Sequence, residues 1–214
     1  MRKKTKFYTV IVISLMLAGC GGQQAMRPVT DTTTRLQHYG FSVLPPQGGH
    51  WYLIDQGEYG LTFAMGDPNK YQRKSDTTHT LIIQVSNLEY EDEKGVWEIR
   101  NPEELASAAE NILQAQNKGR FRLIESRLTP YRTQDSDCVR FYAVFEEEGN
   151  PRAQGAVMRI QDKGFYCRHP NSVKRIIHGI SSERFVRGEQ PFADESLQSE
   201  VDEFFRQIVF IPLD

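Results

Sequence analysis

Six ionisable residues have the types needed to hold a charged ligand: Arg140, Arg159, Arg168, His169, Glu183 and Arg184. Guanidinium groups clamp carboxylates and phosphates bidentately. Arg140 and Arg159 fall in one predicted hairpin, where both can face the same side. The same residue types also serve as packing stems over a sheet and as Arg–Glu ties between loops. The six are therefore the candidate ligand or partner surface. His169, Ser182 and Glu183 are what a hydrolase would use. No Gly-x-Ser-x-Gly elbow occurs, and on an alternating strand Ser181 faces away from His178. No P-loop, dinucleotide-binding or zinc-protease motif is present. The expectation is no catalytic residue, no metal ligand and no cofactor.

Three cysteines carry further chemistry: Cys20, Cys138 and Cys167. Arg2, Lys3, Lys4 and Lys6 precede a short apolar run from Tyr8 to Met16, followed by Leu17-Ala18-Gly19-Cys20. That is the order of a secretory signal peptide: basic start, apolar middle, small residues at the cut. The apolar run is too short to span a bilayer, which needs about 20 residues. The cysteine directly after the small pair resembles the lipobox of bacterial lipoproteins. That resemblance implies a diacylglyceryl thioether and an acylated amine, palmitate-like, on Cys20. It also implies cleavage after residue 19 and a membrane partner held through lipid. Gly21, in place of Asp, implies an outer-membrane anchor facing the periplasm in a Gram-negative host.

In that oxidising compartment the remaining pair, Cys138 and Cys167, reads as one disulfide. The alternative is a metal site using Cys167, His169 and either Cys138 or His178. No Cys-x-x-Cys or His-x-x-x-His spacing supports it. Cleavage leaves 22 Lys and Arg against 28 Asp and Glu, a net charge near −6. An acidic domain argues against nucleic acid, which calls for a basic patch.

The elements that must position these groups follow from periodicity. Residues 20–38 are polar and aperiodic and read as a flexible tether; residues 39–214 read as one domain. Strands are expected at Phe41–Leu44, Trp51–Ile54, Leu61–Met65 and Thr80–Val85, with residues 66–78 as polar loop and Glu89–Glu98 as an exposed connection. The run Leu81-Ile82-Ile83 suggests a strand covered on both faces. Asn101-Pro102-Glu103-Glu104 starts a helix that should end near Lys118-Gly119. Further strands are expected at Arg120–Leu128, Cys138–Glu146, residues 153–161 and Lys174–Arg184. The hairpin centred near Asn150 would set Cys138 opposite Gln161 or Asp162, with Cys167 a few residues beyond, past an Asp162-Lys163-Gly164 turn. A last helix runs from about Asp194 to Ile208, with Leu197, Val201, Phe204 and Phe205 on one stripe. Aromatic residues, Trp51 included, fit a core.

Phe41-Ser42-Val43, Pro45-Pro46 and Trp51 resemble the opening of PsbP-like and DcrB-like proteins, which are α-β-α sandwiches around an antiparallel sheet. No manganese or calcium ligand set of PsbP can be carried over. Asp137-Cys138-Val139-Arg140, Gly164–Pro170 and Ser181-Ser182-Glu183-Arg184 are similar to a group of bacterial lipoproteins with no assigned activity. The fold class expected is thus α+β, an antiparallel sheet with helices packed on it. The function expected is a non-catalytic binding or adaptor module for an envelope protein or small ligand. The alternative is an envelope hydrolase acting on cell-wall or lipid material.

Overall fold

The computed structural model describes residues 26–213, apart from 49, 66–79, 90, 93–94, 97, 134, 152, 154 and 192. The expected signal peptide (1–19), Cys20, the start of the expected tether and the expected 66–78 loop lie outside the described residues.

In chain order the strands are β1 (Arg27–Pro28), β2 (Leu36–His38), β3 (Phe41–Val43), β4 (Trp51–Gly57), β5 (Gly60–Met65), β6 (Thr80–Glu89), β7 (Glu91–Asp92) and β8 (Gly95–Val96). Helix α1 (Pro102–Ala115) comes next, then β9 (Phe121–Arg132), β10 (Asp137–Glu147), β11 (Met158–Arg168) and β12 (Arg175–Val186). Helix α2 (Glu195–Arg206) and β13 (Val209–Phe210) end the chain. Eight strands form one sheet in the order β1-β4-β5-β6-β12-β11-β10-β9, and β13-β3-β2 form a small second sheet. Every pair in both is antiparallel.

This corrects the expected fold class. Strands hold 49% of the described residues and helices 16%, so the domain is mostly β and not a PsbP-like α-β-α sandwich. A single helix stands on each face of the large sheet, and α1 covers only part of its face. The physical reason lies in the strands, which run to ten or twelve residues and give the sheet more area than one helix can cover.

The paired chain also begins before Tyr39. Arg27 and Pro28 pair with Leu53 and Tyr52, and Leu36–His38 pair with Val43–Phe41, so five residues of the expected tether lie in sheet-edge strands. Gly40, at φ +84, makes the turn between β2 and β3, where a Cβ would meet Asn87, Leu213 and His169.

Both helices start as their caps dictate. Asn101 accepts from the Glu104 N–H at 2.8 Å, and Asp194 accepts from the Leu197 N–H at 2.9 Å. Each such bond satisfies one of the unpaired amides of a helix's first turn. Helix α1 ends at Ala115, three to four residues before the expected stop. It packs Leu105, Ala108, Ala109, Ile112 and Leu113 on Val139, Phe141, Ala143 and Phe145, the alternate residues of β10. Helix α2 packs Leu197, Val201 and Phe204 on Phe41, Trp51, Leu61, Phe63, Leu81, Ile83 and Val85 on the other face. Trp51 is core, and its Nε1 donates to Glu200 at 3.2 Å.

Strand β11 departs most from expectation. It runs unbroken from Met158 to Arg168, and Cys138 lies opposite Cys167. Asp162-Lys163-Gly164 is strand interior, not a turn. Gly164 is there because β12 passes too close for a side chain: a Cβ would collide with the Gly179 carbonyl oxygen. A glycine inside a strand marks such close backbone approach.

Candidate functional site

The register divides the six predicted surface residues rather than gathering them. Arg140 and Arg159 do share a face, but they stand opposite Phe165 and Glu146, six residues apart along the hairpin. At about 3.3 Å per residue that is roughly 20 Å, too far for a shared clamp. Arg140 lies over the Tyr131 ring, Arg159 pairs with Glu146 at 3.4 Å, and Arg168 pairs with Asp137 at 3.5 Å. Glu183, buried on the α2 face, accepts from the Ala193 N–H at 3.0 Å.

His169 is fully buried. Its Nε2 faces the carbonyls of Gly40 and Ile211 at 3.0 and 3.1 Å, and its Nδ1 accepts from the Asn171 N–H at 3.2 Å. Two carbonyls at Nε2 require a proton there, so the ring is the neutral Nε2–H tautomer, with no lone pair left for a metal. Cys167 is joined to Cys138 as a disulfide. The alternative metal set therefore has two of its members committed elsewhere. The hydrolase set is likewise divided: Ser182 and Glu183 are neighbours on β12 and face opposite sides.

What the register does assemble lies on the α1 face, beside the helix. Three strands send alternate residues to that face, where they floor a trough of about 350 Å³. Strand β6 contributes Thr80, Ile82, Gln84 and Ser86; β12 contributes His178, Ile180, Ser182 and Arg184; β11 contributes Ile160 and Asp162. Gln116 and Phe121 close one side, and the β4–β5 hairpin brings Asp55, Glu58 and Tyr59 to the other.

The side-chain pattern changes where α1 stops. Under the helix, β10 presents Val139, Phe141, Ala143 and Phe145. Beyond it, polar residues alternate with isoleucines. The reverse face of β6 is apolar throughout its centre, with Leu81, Ile83 and Val85 fully buried. Ile82, which the apolar run suggested was covered, is half-buried and lines the trough.

Among the described residues, the buried polar atoms without hydrogen-bond partners on this face include Asp162 Oδ1, His178 Nε2 and the Tyr166 hydroxyl. Asp162 is 4% exposed and lies opposite Ser182. Burial pushes its carboxyl up to about 6, against the opposing pull of the Ser182 hydroxyl and the Arg184 charge. His178 stacks on Tyr166 with ring centres 4.6 Å apart, and burial pushes its imidazole down to about 3. At neutral pH it is uncharged. Burial, with the nearby Asp162 charge, also raises the Tyr166 hydroxyl far above its ordinary range. At one end of the trough the fully buried Glu147 carboxylate joins Arg184 at 3.0 Å and Arg120 at 2.6 Å. Of these groups the sequence singles out Arg184, Ser182 and His178, none of them for this trough, and it places Asp162 in a turn.

The donors and acceptors of the trough, together with its apolar strips, suit recognition of a small molecule. Among the described residues, no group of three or more metal-type ligands converges. No protein-family model matches the chain. No curated protein matches it either. Among solved structures, the human StarD13 (DLC2) lipid transfer and protein localization domain aligns at 8% identity. The alignment covers 76% of this chain and 90% of that one with a TM-score of 0.27, too slight a likeness to bear on fold or ligand.

Proposed function

We propose that this chain is a lipid-anchored protein of the cell envelope whose domain is a non-catalytic binding module. Its ligand lies in the trough beside α1. The observation that carries the binding reading is the polar switch on one sheet face. Strands β6, β11 and β12 turn Gln84, Ser86, Asp162, His178 and Ser182 toward a cavity of 350 Å³. Sites for small molecules have volumes of about 300–1,000 Å³ and combine apolar walls with a few polar groups. Buried polar atoms without partners are costly, and a ligand is one way to satisfy them. The anchor rests on the segment order ending at Cys20, and the acidic mature domain fits attachment by lipid rather than by charge.

The trough is tested with Nile red, a neutral dye that brightens in apolar sites. Saturable fluorescence at one site per folded chain is expected, and Ile82→Trp, which fills the cavity, should abolish it. No saturable signal, or one indifferent to Ile82→Trp, overturns the trough as a binding site. Intact mass of membrane-extracted protein tests the anchor. A mass beginning at Cys20 with acyl chains supports it, and an unmodified N-terminus overturns it.

A further inference from the structure

We infer that the trough selects a ligand carrying a protonated amine, with the ammonium on Asp162 and the apolar part over Ile82, Ile160 and Ile180. This rests on the reading of the trough as a binding site and names the class of molecule it takes.

The argument starts from Asp162. Its carboxyl is buried at the trough floor, and Oδ1 has no hydrogen-bond partner among the described residues. The other described groups around it do not complete it. Ser182, directly across the ladder, supplies one hydroxyl donor. Arg184, one step along the same face of β12, is bound to Glu147 at 3.0 Å. His178 is held neutral by burial and brings no positive charge. The remaining floor residues, Thr80, Ile82, Gln84, Ser86, Ile160 and Ile180, are uncharged.

The mouth points the same way. Asp55 and Glu58, from the β4–β5 hairpin, line the trough and add negative charge on the side away from Arg184. An anionic ligand would meet three carboxyl groups there. A neutral one would leave the Asp162 charge only partly offset by Ser182 and Arg184 in a poorly solvated place, which is expensive. An ammonium donates to Oδ1 and supplies the missing charge, and charge-assisted bonds of this kind are roughly twice as strong as neutral ones. The raised carboxyl of Asp162 agrees, because burial outweighs the opposing pull of Ser182 and Arg184 and leaves the carboxylate under-compensated.

Three probes with the same eight-carbon tail separate the alternatives: octylamine, 1-octanol and octanoate, each competing against Nile red below its aggregation threshold at pH 7.5. Octylamine should compete at least about tenfold better than either of the others, the difference expected of one added charged contact. In Asp162→Asn, an isosteric change, that advantage should shrink to within about threefold. If the alcohol or the carboxylate competes as well as the amine, the trough still binds but the ammonium assignment is overturned. If Nile red itself shows no saturable site, the underlying reading fails instead. The wild-type comparison alone decides between these outcomes should Asp162→Asn not fold.

Discussion

Asp162 and His178 stand on the same face of adjoining strands, each buried with one polar atom unpartnered, and burial moves their ionisation in opposite senses. The folded Asp162 carboxyl holds its proton up to about pH 6, against 3.8 for an ordinary aspartate. Its contribution to stability is therefore full below pH 4 and is lost as pH rises toward 6, by about 3 kcal/mol. His178 behaves oppositely: the unfolded chain takes up the proton first. Its contribution is full above pH 6.5 and is lost as pH falls toward 3.

The two slopes oppose each other between pH 4 and 6, where they should largely cancel. Asp162→Asn should unmask a steady loss of stability on acidification below pH 6.5. His178→Phe should unmask the reverse, a loss as pH rises from 4 to 6. Urea midpoints for the three proteins across pH 4–8 read this directly. Variants that simply parallel the wild type would show that neither group titrates as the burial requires.

Glu147 is the anchor of the trough's basic end. Its side chain is 0% exposed, while Arg120 and Arg184 are 38% and 24% exposed. Glu147→Gln leaves two guanidiniums facing a neutral amide in a partly buried site, a change that costs about 3 kcal/mol when one partner of a buried pair is removed. Arg120→Ala should cost about 1 kcal/mol or less, since Arg184 still neutralises the carboxylate and Arg120 is largely solvated. Denaturant midpoints at constant slope check both, and equal effects would place the pairing energy on the surface.

The parts of this fold that could be read from the sequence are those where local chemistry decides. Asn101-Pro102 and Asp194 set the helix starts, and alternation along Val139, Phe141, Ala143 and Phe145 named the buried face of β10. What local chemistry does not contain is which alternating polar face meets solvent and which meets a cavity. Asp162, Ser182, Gln84 and Ser86 look in sequence like the outer side of half-buried strands. Only the position of α1, stopping over β9 to β11, turns that side into the wall of a trough. The short strands β1 and β2 were invisible for a related reason. Their pairing is set by distant edges at Tyr52, Leu53 and Phe41–Val43, not by any period of their own.

Gly164 shows how one residue misled the register. In sequence an Asp-Lys-Gly stretch signals a turn, whereas in the fold it lies where β12 passes too close for a side chain at 164. Gly164→Ala would drive a Cβ into the Gly179 carbonyl, and backbone there cannot yield without parting the central strands. A loss of about 3 kcal/mol is expected, at the upper end for overpacking. Gly57→Ala is the control, since nothing lies within 4 Å of the added carbon and its backbone is unstrained. It should change stability by less than about 0.5 kcal/mol. Thermal melts of the pair test the close-approach argument, and equal melting temperatures would refute it.

The Cys138–Cys167 bridge joins residues directly opposite each other, 29 apart in sequence, at the end of the β10–β11 hairpin away from its loop. It therefore closes the whole hairpin, including the stretch that carries Asp162. Constraining a loop of that length in the unfolded chain stabilises the fold by about 3–4 kcal/mol in the chain-entropy model. Replacing both cysteines with serine should lower the urea midpoint accordingly and leave the Nile red site intact, because the ladder itself fixes the register of Asp162. The sulfurs are also inaccessible, with Cys138 1% and Cys167 2% exposed. Reduction of the native protein should consequently follow opening of the hairpin, and its rate should rise with urea well before global unfolding. A rate set only by reductant concentration, equal to that of an exposed disulfide, would show the bridge standing open to solvent.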